Sequence, residues 1–436
     1  MSGIVLKVVP FAGVPIERRA DTATNLFAAA SRYTLSAMGP IGVSASHFLA
    51  ALVLLRVLPR AEFGLFSFLL VLSPFCLSLC GAMFAPPIAH RGACSTPESV
   101  AEERTLFKAS LVFAAAAAAV VAPVLWFGGA PVWVAASFGL YSGTMTLRWF
   151  ARCWAYGLSQ TVRVLISDIV YSAVLSITLL SFLAMQRLTF GSAGLALLMA
   201  AIAGLTVFGT AQSRKYWAGL RHGELRAFIR YWREMSGWAV LGVVLSELTA
   251  NAHAYVVTFV SGPHAFAVLA VGSLLMRPVS LVLAAVPDME RPLMSRAMRS
   301  GETARALQIV KEFRTAGGAT WVVTVAVGAV LLTWFPHLLV KKDYAFGDIG
   351  VAVAVSAAIM ALRALRTPVS VLLQAAGEFR RLTGPGLWSG AVSLFSTFVL
   401  LMAAGPIAAF VGILLGEVVA TERTFALVRA WKRGHD

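Results

Sequence analysis

The chain has 436 residues, of which 59% are hydrophobic and 13% are charged, and its mean hydropathy is +0.80. A soluble protein of this length does not need so much apolar sequence, whereas repeated apolar stretches of about 20 residues fit a multi-pass membrane protein. The formal net charge of +16 would suggest a nucleic-acid partner in a soluble protein. Here the basic residues lie between the apolar stretches, so we interpret them as loop anchors at the membrane surface and expect no nucleic acid.

The apolar stretches predict an all-α integral membrane protein with about twelve transmembrane helices. Several connections between the stretches are very short, so we expect neighbouring spans to run antiparallel. The predicted spans are residues 36–58, 64–89, 106–127, 131–153, 161–184, 190–211, 236–260, 264–286, 317–339, 349–377, 382–403 and 406–428.

The distribution of basic residues predicts that both termini lie in the cytoplasm. Of the 36 lysines and arginines, only Arg60, Arg187, Lys341 and Lys342 fall on the outer side, and four more lie within spans. The other 28 fall on the inner side, counting those at the inner ends of spans. Such an excess of basic residues is typical of cytoplasmic loops.

A basic, amphipathic linker at residues 212–235 divides the chain into two sets of six spans. Both sets begin on the same side, so we expect two bundles related by a pseudo-two-fold axis along the membrane normal. The linker is expected to lie on anionic membrane lipids. The predicted units are a cytoplasmic N-terminal segment with a short amphipathic helix (1–35), a six-helix bundle (36–211), the linker, a second six-helix bundle (236–428) and a cytoplasmic tail (429–436).

The tenth span carries two arginines, Arg363 and Arg366, near its middle. An arginine at the centre of a bilayer costs roughly 2.5–3.5 kcal/mol on insertion scales, so these side chains should face protein or water. We therefore predict that this helix forms one wall of a polar cavity for an anionic cargo, with Pro368 as a kink beside it. Helical spacing puts five polar residues of the span on one face: Ser356, Arg363, Thr367, Ser370 and Gln374.

Other spans supply further polar candidates for the cavity. They are His47 in the first span, Glu247, Asn251 and Tyr255 in the seventh, and Arg277 in the eighth. Ionisable residues inside a membrane are functional candidates by default, but they also commonly pair with one another. Glu247 is thus either a cavity residue or a partner that neutralises Arg277 or Arg363, and His47 is either a cavity residue or a packing residue.

Two carboxylates are candidates for ion coupling, if transport is coupled to an ion: Glu247 and Asp168, which lies in the fifth span. The alternative for Asp168 is an ion pair with Arg163 or Arg152. No G-x-S-x-G, H-E-x-x-H or Walker sequence occurs, and no histidines and cysteines have the spacing of a metal site. We therefore predict a protein that is not an enzyme and has neither a metal nor a cofactor.

The first outer turn reads LLRVLPRAEFGLFSF. It resembles the polysaccharide flippase family of the multidrug/oligosaccharidyl-lipid/polysaccharide exporter superfamily, in which an R-x-L-type sequence ends the first span and an acidic-aromatic-Gly sequence opens the second. The matching residues here are Arg56, Leu58, Glu62, Phe63 and Gly64. The turn QAAGEFRR after the tenth span and the two six-span halves also fit this resemblance.

The resemblance implies alternating access between two bundles around a V-shaped cavity. It implies translocation of a polyprenyl-diphosphate-linked oligosaccharide or polysaccharide repeat unit across the bacterial inner membrane, for cell-surface or exopolysaccharide biosynthesis. Glycosyltransferases or a polymerase of the same pathway are candidate partners. The expected substrate-binding residues are Arg277, Arg363 and Arg366 for the diphosphate or acidic sugars, and Glu247, Asn251, Tyr255, Gln374 and His47 for the remaining polar contacts.

Three alternatives remain open. A cation-coupled multidrug exporter of the same superfamily should favour acidic and aromatic cavity residues over arginine. A membrane glycan polymerase or ligase should present a sizeable outer loop with catalytic residues. A membrane scaffold that recruits glycosyltransferases should depend on its basic loops rather than on its cavity.

Overall fold

The computed structural model describes residues 22–90, 97–158, 160–335 and 345–433. Every regular element within these ranges is helical. The first 21 residues of the predicted N-terminal segment lie outside the described residues, as do Lys341, Lys342 and the last three residues of the tail.

Seven helices lie in the described part of the first half. The first helix is continuous from residue 22, so the predicted short amphipathic helix and the first span form one element. The bounds are α1 Thr22–Val57, α2 Arg60–His90, α3 Pro97–Phe127, α4 Val132–Gly157, α5 Thr161–Ala184, α6 Phe190–Thr206 and α7 Gly209–His222.

The second half follows α8 (Leu225–Tyr231) and a π-helical turn, Trp232–Ser236. The helix that contains Pro368, α13 (Phe346–Ala375), is continuous, whereas the chain breaks between α10 (Pro263–Leu275) and α11 (Arg277–Arg299). The bounds are α9 Gly237–Ser261, α10 Pro263–Leu275, α11 Arg277–Arg299, α12 Thr303–Trp334, α13 Phe346–Ala375, α14 Phe379–Ala404 and α15 Pro406–Arg433.

Eight of the described helices are long and apolar enough to cross a membrane, and two bent pairs raise this number to ten. The pairs are α6 with α7, bent by 97°, and α10 with α11, bent by 60°. The eighth predicted span is therefore a broken helix, and the predicted sixth span (190–211) covers α6, the bend and only the first residues of α7. The two other predicted spans, α4 and α15, carry charged side chains that lower their apolar character: Arg148 and Arg152 in α4, and Glu417 in α15.

The two halves repeat one packing pattern. In the first half α1 packs on α5, α2 on α4, and α6 on both α4 and α5. In the second half α9 packs on α14, the α10 part of the broken span on α13, and α15 on both α13 and α14. Corresponding helices therefore make corresponding contacts, as two lobes related by a pseudo-two-fold axis require.

The lobes meet through α2, which packs against α9 and α10, and through α1, which packs against α10 and α11. At the predicted outer side the approach is very close, because a Cβ atom added to Gly64 would lie 2.0 Å from the carbonyl oxygen of Pro263. Beside this contact, Nε of Arg60 donates to the carbonyl of His264 at 3.2 Å. The lobes are thus in contact through their backbones at this end.

Candidate functional site

One carboxylate, that of Glu417, joins the two arginines of the tenth span. Nε of Arg363 donates to Oε1 of Glu417 at 2.7 Å, and Nη2 of Arg366 donates to Oε2 at 2.8 Å. The three-residue spacing of the arginines puts both on one side of α13, where α15 packs against it. Glu417 is 1% exposed, whereas both arginines are about one-fifth to one-quarter exposed. The two arginines and the one carboxylate therefore carry a net charge of +1, and the arginines are the more exposed members of the cluster.

Arg363 also faces a cavity of about 290 Å³ between the two lobes. The first lobe contributes His47, Phe48 and Ser67 to its wall, and the second contributes α9, α10, α11, α13 and α15. We call it the upper cavity because it lies further from the predicted cytoplasmic side. Two arginines and no carboxylate occur among its described lining residues. Of the predicted polar stripe, Ser356 and Arg363 thus face the space between the lobes.

Arg277 is the second arginine of the upper cavity, and it is the first residue of α11, at the 60° break after α10. Among the described residues, no carboxylate forms an ion pair with it. The first N–H groups of a helix have no partners within the helix and favour negative charge nearby. Ser273 and Ser280, one turn before and after, line the same cavity. The break therefore combines a fixed charge, a helix N-terminus and two hydroxyls.

His47 connects the upper cavity to the interior of the first lobe. Its Nε2 lies 2.6 Å from the hydroxyl of Tyr171, and that hydroxyl lies 3.4 Å from the hydroxyl of Tyr141. Both tyrosines are fully buried. His47 thus lines the cavity and is also held by a buried polar contact.

A second cavity, of about 710 Å³, lies nearer the predicted cytoplasmic side, and we call it the lower cavity. Glu247, Arg366, Ser370 and Gln374 line it, with Ser78 from the first lobe. The structure therefore divides the predicted site residues. The upper cavity takes Arg277, Arg363, Asn251 and His47, and the lower cavity takes Arg366, Gln374 and Glu247.

Among the described residues, Glu247 forms no ion pair with Arg277 or Arg363, although the charge of Arg363 is near enough to attract its carboxylate. It accepts a hydrogen bond from the Tyr255 hydroxyl at 2.7 Å, two helical turns along α9. Glu417, and not Glu247, forms the ion pair with Arg363, because α15 packs on α13 at that level. Tyr255 holds Glu247 and does not line either cavity.

The first lobe contains a separate buried ionic cluster around Asp168. Its Oδ1 accepts hydrogen bonds from both Arg148 and Arg152, which are one helical turn apart on α4. Of the two predicted partners of Asp168, Arg152 is confirmed. Arg163 is not, since it donates to the carbonyls of Val207 and Phe208. Arg148 is 0% exposed and also donates to Ser167 at 3.0 Å. Ion coupling through Asp168 remains a prediction.

Two residues of these ionic clusters, Glu417 and Arg148, were not among the site residues predicted from the sequence. Arg148 was counted among the basic residues at the inner ends of spans, although it lies wholly inside the bundle. Its four-residue spacing from Arg152 was the available signal, because it places two charges on one face of a span. Glu417 had a signal as well, being a carboxylate deep in an apolar span with two arginines to balance.

No family model matches the sequence, and no curated protein matches it either. Solved structures match over almost the whole chain. An inward-facing multidrug resistance MATE family transporter of the MOP superfamily superposes with a TM-score of 0.64 at 14% identity, covering 93% of this chain and 95% of that one. The lipid II flippase MurJ, in an inward closed conformation, superposes with a TM-score of 0.64 at 11% identity, covering 91% and 87%.

A third similar structure is a MOP superfamily transporter from Pyrococcus furiosus, described as having a binding pocket of reversed polarity. Its TM-score is 0.58 at 13% identity, with coverage of 93% and 95%. These similarities show that the chain has the two-lobe, all-helical fold of MOP-superfamily transporters and flippases. The similar structures are those of transporters and flippases rather than enzymes.

Proposed function

We propose that the protein is a flippase for a polyprenyl-diphosphate-linked oligosaccharide or polysaccharide repeat unit. The observation that carries this proposal is the upper cavity, whose described lining holds Arg277 and Arg363 and no carboxylate. In the upper cavity Arg277 and Arg363 carry two positive charges, and Glu417, the carboxylate that pairs with Arg363, is shared with Arg366. A diphosphate supplies the complementary negative charge, and the guanidinium group donates paired hydrogen bonds to phosphate oxygens.

The lower cavity supports the same proposal for the sugar portion of the cargo. The side chains that line it carry little net charge, because Arg366 pairs with Glu417 and the carboxylate of Glu247 faces the same cavity. The amide of Gln374 and the hydroxyl of Ser370 are hydrogen-bonding groups suited to sugar hydroxyls. In this arrangement the diphosphate lies in the upper cavity and the first sugars lie in the lower one, while the polyprenyl chain stays in lipid.

The contact of Gly64 with Pro263 supports alternating access. With the lobes in contact at the predicted outer side and the larger cavity on the predicted inner side, cargo enters from the cytoplasmic leaflet of a bacterial inner membrane. Rocking of the lobes would then open the other side. Glycosyltransferases or a polymerase of the same pathway would supply or consume the cargo.

One observation favours a second candidate, a cation-coupled multidrug exporter. Glu247 forms no ion pair among the described residues and lines the lower cavity, where a cationic drug would find a carboxylate. The MATE transporters share the fold, and the Pyrococcus furiosus structure links pocket polarity to a difference of function. The arginine surplus of the upper cavity favours the flippase.

The test uses purified protein in liposomes that contain a fluorescent polyprenyl-diphosphate oligosaccharide. We expect Arg277→Gln to reduce translocation at least tenfold and Arg277→Lys to reduce it less, since lysine keeps the charge but loses the paired donors. Arg305→Gln, which removes an exposed charge far from both cavities, should leave translocation unchanged. Full translocation by Arg277→Gln, or export of cationic drugs that requires Glu247, would instead favour the exporter.

A further inference from the structure

The linker between the lobes begins with a sharp, well-held bend. The axes of α6 and α7 are bent by 97° relative to each other. With α6 crossing the membrane, α7 therefore runs along the membrane surface. Arg163 fixes the bend by donating to the carbonyls of Val207 and Phe208, and Gly209 has the positive φ of +75° that the turn requires. The orientation of α7 therefore follows from the fold and not from a bound partner.

One side of α7 is docked on the first lobe. The hydroxyl of Tyr216 donates to the carbonyl of Leu147 at 2.9 Å, and Lys215 pairs with Glu103 at 3.0 Å. A Cβ added to Gly219 would lie 2.7 Å from Phe107. The opposite side is left exposed, and it presents Trp217.

Three parallel stripes run along α8 and the π-helical turn. Phe228 is buried against the aromatic cluster of the first lobe. Next to it around the helix lies an exposed apolar stripe of Leu225, Ile229 and Trp232. About 100° further round, as the repeat of 3.6 residues gives for neighbouring residues of the α-helix, lies an exposed basic stripe that continues into the π-helical turn. That stripe consists of Arg226, Arg230 and Arg233.

The exposed charge of this region is strongly positive. From residue 209 to 236, Lys215 is paired with Glu103 and every arginine is exposed. The acids in the same segment are Glu224 and Glu234, and Glu234 pairs with Arg230 at 3.4 Å. The exposed arginines are Arg214, Arg221, Arg226, Arg230 and Arg233.

We propose that α8, the π-helical turn and the exposed side of α7 bind the headgroups of anionic phospholipids. The order of the stripes carries the argument. The apolar stripe lies between the docked face and the basic stripe, which is the arrangement of a helix half-immersed in the membrane interface. Tryptophan side chains favour the interfacial region of a membrane, and arginine side chains are attracted to the lipid phosphates found there.

This surface is separate from the transport cavities, so the proposal goes beyond the proposed function. The segment is also the covalent connection between the lobes, because it joins α6 to α9. Headgroups bound here would hold the linker at the membrane surface while the lobes move. The charge of the surrounding lipid would then influence the stability of the whole protein.

The test compares two triple variants of the full chain. R226Q/R230Q/R233Q removes the basic stripe, and R296Q/R299Q/R305Q removes the same charge from exposed side chains of α11 and α12, on the same predicted side. Each protein is placed in nanodiscs of phosphatidylcholine alone or of an equal mixture with phosphatidylglycerol. The midpoint of thermal unfolding is measured in both, and retained phosphatidylglycerol is counted by native mass spectrometry.

We expect the wild type and the control triple to retain phosphatidylglycerol and to unfold at a higher temperature in the anionic nanodiscs. The R226Q/R230Q/R233Q protein should lose both effects. Equal losses in the two triples would show a response to net charge alone and would overturn the proposal. Unchanged lipid retention in R226Q/R230Q/R233Q would also overturn it, and loss of a co-purifying protein from that variant would then assign the surface to a protein partner.

Discussion

The carboxylate of Glu417 and the guanidinium of Arg363 are joined at 2.7 Å, and this bond ties α15 to α13 at the wall of the upper cavity. Glu417 is almost fully buried, whereas Arg363 reaches the cavity. The acid thus orients the arginine without taking space in the cavity. The two arginines of this span are therefore held at the cavity walls by one buried counter-charge.

Removing this counter-charge should destabilise the second lobe. We expect Glu417→Gln to lower the free energy of unfolding by about 3–5 kcal/mol, because it leaves Arg363 and Arg366 without their buried partner. Thermal unfolding in detergent measures the effect. Glu422→Gln, an exposed position on the same helix, is the matched control and should change little. Equal stability of the two variants would show that the arginines find other partners.

The Asp168 cluster should behave as a structural unit. We expect Asp168→Asn to destabilise the first lobe, since Arg148 and Arg152 lose their shared carboxylate. Adding Arg152→Gln to Asp168→Asn should recover part of the loss, and a double-mutant cycle of unfolding free energies measures the coupling. If Asp168→Asn is as stable as the wild type but loses the ion dependence of transport, Asp168 is instead a coupling residue.

The contact between the lobes at Gly64 should control which side of the cavity is open. A methyl group at Gly64 has no room beside the Pro263 carbonyl, whereas at Gly42 the nearest atom lies 3.8 Å away. We therefore expect Gly64→Ala to separate the lobes at the predicted outer side and Gly42→Ala to have little effect. Labelling of a cysteine at Ser67 by an impermeant thiol reagent in cells, with Cys94 replaced by serine, measures access from outside. Equal labelling in both variants would contradict the role of this contact.

The lower cavity should contribute to affinity for the sugar but not for the diphosphate. We expect Gln374→Ala to weaken binding of the lipid-linked oligosaccharide several-fold, equivalent to about 1 kcal/mol for one lost hydrogen bond. Inorganic pyrophosphate should inhibit this binding as strongly in the variant as in the wild type, since Gln374 does not line the upper cavity. Weaker inhibition by pyrophosphate in this variant would show that the two cavities do not divide the cargo as proposed.

The fold was largely predictable because apolar length and charge asymmetry are strong signals in a membrane protein. Each of the twelve predicted segments coincides with a helix or a bent pair in the described part of the chain. The break before Arg277 was not predicted, although Pro278 follows it directly, because proline is tolerated in the first turn of a helix and does not by itself indicate an interruption.

The site was predictable in its arginines but not in their partners. A charged side chain within an apolar span is costly unless it faces protein or water, so a cavity position for Arg277 and Arg363 could be predicted from that cost. Glu247 and Glu417 were both deep carboxylates, and only the packing of α15 on α13 decides which one meets Arg363. That choice depends on the rotation of helices about their axes, which sequence spacing does not determine.

The break between α10 and α11 also has a mechanical consequence. The regular pattern of backbone hydrogen bonds is already interrupted at Met276, and Pro278 has no N–H group to restore it. Helix α11 can therefore swing about this hinge at little additional cost in hydrogen bonds. Since Arg277 is the first residue beyond the hinge, a swing of α11 would turn its side chain relative to His47 across the cavity, so the same break that positions the charge also allows it to move.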